Sequence, residues 1–245
     1  SVQGALESAL SVLLKEQVCL TGAGRTDTGV NAIGYTAHFD CSTAFDTGLI
    51  AYKLNAILPT SIVVHDIVPE APDFHARFDA NRREYTYFLH RVKDPFVESF
   101  SYRYTYPVLD FNKMNISAAE LCGRHDFRCF EKAGADSRTS ICTIHKALWE
   151  SYEPTLCAKR RILADGTLSE DYWKFTVCAD RFLRNMVRAL VGTLLEVGRG
   201  KRTAESFSSL ILEDGFSPVK SVMRSNAGES VPGHALFLTS VDYKK

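Results

Sequence analysis

The chain is 245 residues long, 45% hydrophobic and 24% charged, and its 29 basic and 29 acidic side chains leave no net charge. That size and apolar content suffice for a full core in one large or two small domains. The sequence is not basic throughout, and no apolar run approaches the roughly 18 residues of a membrane-spanning helix, so it reads as a soluble globular protein. Seven cysteines, odd in number and with no CxxC pair, indicate free thiols and a cytoplasmic location. Seven histidines show no metal-ligand spacing, and no metal site is expected. Because the first residue is Ser1 rather than Met, an incomplete N-terminus is expected.

Taken in order, residues 1–16 place Ala5, Leu6, Ala9, Leu10, Leu13 and Leu14 at helical spacing and predict an amphipathic helix. Val18–Leu20 reads as a short strand that enters GAGRTDTGVNA, residues 22–32. This loop presents one carboxylate, Asp27, among Gly22, Gly24, Gly29 and Arg25, and glycines let such a loop fold tightly around a ligand. If the loop is extended, Arg25 and Asp27 point the same way, which suits a substrate with an electrophilic carbon and a phosphate. An Asp in a Gly/Thr-rich turn also serves simply as a cap on its own loop. Neither GxGxxG nor GxxxxGK[ST] is present. Asp27-Thr28-Gly29 and Asp46-Thr47-Gly48 both match the DTG of aspartic proteases, whose two aspartates meet across two lobes. The second copy instead opens a predicted helix, Leu49–Leu58, with Asp46 as its cap, so the repetition is read as coincidence.

Tyr35–Asp40 and the β-branched stretch Ser61–Val68 read as strands. Arg83–Val92 alternates, with Tyr85, Tyr87 and Leu89 on one face, where Tyr85 can meet a ligand. Asp110 precedes a helix over Phe111–Cys122, and strands are expected over Cys142–Tyr152 and Tyr172–Asp180. The stretch 153–170, with Lys159-Arg160-Arg161, reads as a hairpin or insertion. The longest helix is predicted over Arg181–Val197, with Arg181, Arg184 and Arg188 in one cationic stripe. A helix over Thr203–Leu212 and a strand over Ala235–Tyr243 complete the chain. Helices interleaved with alternating strands in two halves read as an α+β fold.

Two stretches are basic on this neutral protein. Residues 181–202 carry six basic side chains against one acid, and residues 75–93, with Arg77, carry five against two. Their convergence would make a localised polyanion site.

GRTDTGV at 24–30, FHARFDANRREYTY at 74–87, FLRNMVRALVGTLLEVG at 182–198 and VPGHALFLTSVDY at 231–243 resemble, in order and spacing, the motifs of the tRNA pseudouridine synthase A family. The resemblance covers essentially the whole chain. It implies isomerisation of uridine to pseudouridine in the anticodon stem-loop of tRNA, just 3′ of the anticodon, with no metal or organic cofactor. It implies two α/β subdomains whose antiparallel-rich sheets resemble RNA-recognition modules, residues 1–107 with the Asp27 loop and 108–245 with the long helix, in a homodimer. The chain departs from the family in lacking a first strand with a DGxxxxGWQxQ-like segment, and in carrying Asn31 where His is common.

Pseudouridine formation breaks the C1′–N1 bond, turns the uracil and rejoins it through C5. Asp27, ionised, would attack C1′, add to C6 or remove a ribose proton, and the sequence leaves all three open. The resemblance assigns Arg188 as the cation that holds Asp27. It assigns Tyr85 to stacking on the uracil and taking the C5 proton, and Arg25 to extruding the base. Arg77 and Arg184 are expected on the RNA surface. The alternative is an RNA-binding module of the same fold without catalysis.

Overall fold

The computed structural model describes residues 1–132, 134, 139–158, 162–213 and 224–243. In chain order the elements are α1 (Val2–Leu14), β1 (Thr21–Gly22), β2 (Asn31–Ala32), β3 (Ala37–His38), α2 (Thr47–Ile57), β4 (Ala80–His90) and β5 (Tyr102–Arg103). Then follow α3 (Phe111–Ala119), β6 (Gly123–Asp126), β7 (Ile141–Ser151), β8 (Tyr172–Ala179), α4 (Met186–Gly198), α5 (Ala204–Ser208), β9 (Leu212–Glu213) and β10 (Leu236–Tyr243). Among the described residues the architecture is mixed α/β, with five α-helices and a mixed sheet compatible with α+β. No helix among the described residues is long and apolar enough to cross a membrane.

The chain packs as two compact units, residues 1–25 with 35–80 and 243–245, and residues 26–34 with 81–242. The sequence position 107/108 falls inside the second.

In the first unit, α1 and α2 bury Leu10, Ile50 and Leu54 together with Val18, Leu20 and Leu58. Asp46 caps α2, accepting from the Leu49 N–H at 2.9 Å. Two strand expectations need correction here. At 18–20 the backbone is extended but bonded to side chains of α1: the Val18 N–H donates to Ser11 Oγ and the Leu20 N–H to Glu7 Oε1, both at 2.9 Å, while Leu20 O accepts from Gln3 Nε2 at 2.8 Å. Pairing begins only at Thr21, opposite His38. At 61–68 no partner strand is present among the described residues, and the Asn55 amide bonds both the N–H and the carbonyl of Val64 at 2.8 Å. The alternation there was real, since Ile62 and Val64 pack on the core while Val63 is exposed, but it marks an extended segment and no ladder.

The second unit holds a sheet in the order β2-β10-β4-β8-β7-β6-β9, with β5 beside β4. β4 and β8 run antiparallel from Arg83 opposite Ala179 to His90 opposite Tyr172. Tyr87, Leu89, Trp149, Phe175 and Val177 of the sheet share one core with Met114 and Ala118 of α3 and Ala189, Leu190 and Leu194 of α4. Asp110 caps α3 as expected, accepting from the Lys113 N–H at 3.0 Å.

The helix expected over 181–197 begins five residues later. Asn185 adopts a left-handed conformation with φ of 64°, which the helix cannot contain, and its amide donates to Ser230 Oγ at 2.6 Å. Arg181 and Arg184 therefore lie outside α4, and the three-arginine stripe does not exist as such. The helix expected over 203–212 stops at Ser208, because Leu212 and Glu213 pair with Asp126 and His125 at the sheet edge. The hairpin near residues 162–168 is present, with an antiparallel bridge between Ile162 and Leu168. The Lys159-Arg160-Arg161 run lies outside the described residues.

Candidate active site

Asp27 stands at the head of a turn. The Val30 N–H donates to Asp27 O at 3.1 Å, and Gly29, third in the turn, has φ of 80°. This is the geometry of the i+2 residue of a type II turn, where a side chain is strained. The loop then enters β2, parallel to Phe237 and Leu238 of β10, and the Ile33 N–H donates to Leu238 O at 2.8 Å.

Residues 228–235 brace the loop from a second direction. Asn31 Nδ2 donates to His234 O at 2.8 Å, and a β-carbon on Gly233 would lie 3.0 Å from Thr28 O. The same segment runs along α4. The Gly228 N–H donates to Thr193 Oγ1 at 2.9 Å and the Val231 N–H to Arg188 O at 3.2 Å. A β-carbon at Gly192 would fall 1.8 Å from Glu229 O, so this approach requires glycine.

Arg188, the third residue of α4, is held at two points. Its Nε donates to Val231 O at 2.8 Å and its Nη1 to Asp27 Oδ2 at 3.0 Å. The two side chains are 22% and 26% exposed, so the pair escapes both the screening of a surface bridge and the desolvation cost of a buried one, and a ligand can reach it. The Asp27–Arg188 contact expected from the sequence is present.

Tyr85, half-buried on β4 opposite Val177, packs edge-on to Phe182 with ring centroids 5.2 Å apart. Tyr85 and Val30, from the Asp27 loop, lie against the core that α4 helps to form. Two residues on, Tyr87 is fully buried and its hydroxyl donates to Pro232 O at 3.1 Å. Burial pushes its pKa above the usual tyrosine range, so it remains a neutral donor.

Residues 117–244 match the model of the tRNA pseudouridine synthase family. A protein of Bacteroides thetaiotaomicron named tRNA pseudouridine synthase A is 44% identical over 243 residues, 99% of this chain and 82% of that relative. The chain belongs to the tRNA pseudouridine synthase family. Proteins of the same name from Parabacteroides distasonis and Bacillus licheniformis are 43% and 35% identical, each over 99% of this chain and over 86% and 90% of their own lengths.

In this member of the family the remaining expected residues are spread over both units. Arg25 and Arg77 belong to the first unit and are exposed. Arg184 is exposed in the non-helical approach to α4, where its carbonyl accepts from the Lys132 N–H at 3.0 Å. The basic stretch 181–202 is largely committed within the fold. Lys201 and Arg202 pair with Glu196 at 2.8 and 2.9 Å, and Arg199 lies 5.3 Å from the centre of the Tyr106 ring. From the other basic stretch, Arg83 Nη1 donates to Asp180 O at 2.8 Å, one residue before the 181–202 stretch begins. Among the described residues no group of three or more His, Cys, Asp or Glu side chains is arranged to hold a metal.

Asn31, Tyr87 and the Val231 carbonyl are parts of the site that residue-type reasoning missed. The departure at Asn31 was visible in the sequence, and the structure shows its use as a donor to His234 O. A main-chain carbonyl carries no sequence signal, although the VPGHALFLTSVDY motif marked the segment that contains it.

Proposed function

We propose that this chain isomerises uridine to pseudouridine in tRNA, at positions of the anticodon stem-loop just 3′ of the anticodon, with Asp27 as nucleophile or base. The observation that carries this reading is the Asp27–Arg188 pair at 3.0 Å, with Arg188 fixed from behind by the Val231 carbonyl. A carboxylate so oriented and still partly open suits attack at C1′ or C6, or removal of a ribose proton. The isomerisation returns every atom, since the proton lost from C5 is balanced by one gained at N1, and needs no redox partner. Tyr85 offers a ring for the uracil and a hydroxyl within the same unit as Asp27. Arg25 braces the stack vacated by the extruded base, and Arg77 and Arg184 contact the RNA backbone. Residues 1–107 and 108–245 act as two α/β halves with sheets like RNA-recognition modules, and a second copy completes the tRNA clefts in a cytoplasmic homodimer.

Pseudouridine mapping in tRNA incubated with the parent and with Asp27→Asn tests the reading. The variant keeps the shape of the carboxylate, so it binds tRNA like the parent and makes no pseudouridine. Turnover above about a tenth of the parent rate would remove Asp27 from the chemistry. A parent that binds tRNA and leaves every uridine unchanged would be a non-catalytic RNA-binding module.

A further inference from the structure

Residues 75–79 of the first unit form a turn held by more bonds than its exposure would require. The N–H groups of Phe78 and Asp79 donate to His75 O at 3.1 and 3.0 Å, and Asp79 Oδ2 accepts from the His75 N–H at 2.6 Å. His75 Nδ1 accepts from the N–H groups of Arg77 and Phe78 at 3.2 and 3.3 Å. Ala76, fully buried, anchors the turn from beneath: its N–H donates to His38 Nδ1 at 3.1 Å, and its carbonyl accepts from the Tyr243 hydroxyl at 2.7 Å. An Nδ1 that accepts carries no proton, so each imidazole has its N–H on Nε2 and its ring plane is set by the backbone.

The turn thereby lines up rings. His38 and His75 have centroids 4.9 Å apart, and His75 and Phe78 lie 4.2 Å apart with planes inclined by 32°. Phe78 ends the run with 75% of its surface exposed, and the Arg77 guanidinium lies 5.7 Å from its centre. A phenyl ring is among the most favourable groups to bury, and this fold leaves one in water on a hydrogen-bonded turn. An exposed Phe on a loose loop would need no explanation, but here the turn that carries it is hydrogen-bonded throughout, and the ring is backed by a second ring and accompanied by a cation.

We propose that Phe78, backed by His75, is a stacking platform for an unstacked nucleobase of the tRNA, with Arg77 taking the adjoining phosphate. The proposal rests on the pseudouridine synthase reading and adds a subsite to it. The chemistry favours RNA, because every base presents a π-face, single-stranded loops leave such faces uncovered, and the next group along an RNA chain is an anion suited to arginine. Stacking is tolerant of base identity, so the subsite contributes affinity and register without selecting sequence.

The test uses the full chain with Phe78→Ala, Phe78→Leu and Phe78→Trp, measuring tRNA affinity, pseudouridine formation at low and saturating tRNA, and mass by sedimentation. Phe78 is exposed, so the variants fold, and melting curves check this. Ala and Leu weaken tRNA binding by about 5- to 100-fold, the usual worth of one stacked base, and the loss appears in KM while the rate at saturation stays close to the parent's. Trp binds at least as well as the parent, and its added fluorescence is quenched by tRNA. Parental affinity in Phe78→Leu overturns the proposal. So does a loss of affinity that tracks a change in mass, which would make the ring a contact with a second copy. Failure of the parent to form pseudouridine counts against the activity alone, since binding to Phe78 is read separately.

Discussion

Arg188 has its fork committed in two directions, Nε to Val231 O and Nη1 to Asp27 Oδ2, and each bond depends on the planar spread of the guanidinium. A lysine supplies the charge from one point and cannot hold both partners. Arg188→Lys is therefore expected to keep tRNA affinity within a few fold and to slow pseudouridine formation by about a hundredfold or more in single-turnover assays. A rate within about threefold of the parent would show that charge alone suffices. Tyr85 is a different case, because its ring and its hydroxyl have separable uses. Tyr85→Phe keeps the edge-on contact with Phe182, and its rate should fall by roughly a hundredfold if the hydroxyl moves a proton. Tyr85→Leu should lose a further ~1–3 kcal/mol of stacking. Unchanged kinetics in Tyr85→Phe would reduce Tyr85 to a platform.

At the scale of elements, α4 and the 228–231 segment form one positioning unit whose tolerance is set by Gly192. With Glu229 O 1.8 Å from where a β-carbon would stand, Gly192→Ala forces backbone apart, at a cost of about 3 kcal/mol or more. The same shift draws the Val231 carbonyl from Arg188, so activity should fall further than stability explains. Denaturant melts and turnover at a temperature where the variant is folded check both effects, and a folded variant with parental turnover would disconnect the segment from the site. The boundaries of these elements show what local sequence conveys. Asp110 and Asp46 marked α3 and α2 because a cap is a bond within one turn of chain. The start of α4 was misread because Leu183, Met186 and Val187 keep helical spacing across Asn185, whose left-handed backbone is fixed by distant Ser230.

Across the whole molecule, pH acts through a few shielded groups. His90 is buried with Ser101 at 2.9 Å and Glu98 at 3.3 Å, and burial lowers its pKa below the usual histidine value. The unfolded chain therefore takes up this proton first, and stability falls as pH drops below about 6.5. A second loss comes from Asp126 and Glu196. Burial works against their ionisation, but Arg128 for the first and Lys201 and Arg202 for the second override it and lower both pKa values. Their contribution is complete above about 4.5 and is lost as pH falls through the lowered values. Thermal melts between pH 7.5 and 3 should decline in these two stages, and a flat melting temperature from pH 7 to 5.5 would show that His90 is not held neutral. The sequence by itself determined the helical faces and the Asp27 loop with its Gly29, because periodicity and turn chemistry are written in neighbouring side chains, and its motifs marked the family, whose resemblance implied the pairing of Asp27 with Arg188. Only the tertiary structure decided that residues 18–20 and 61–68 bond to helix side chains instead of strands, and that Arg181 and Arg184 lie outside α4. It alone showed that the Val231 carbonyl aims Arg188. Each of these depends on which remote group satisfies a backbone N–H or C=O, and the backbone is chemically the same at every position.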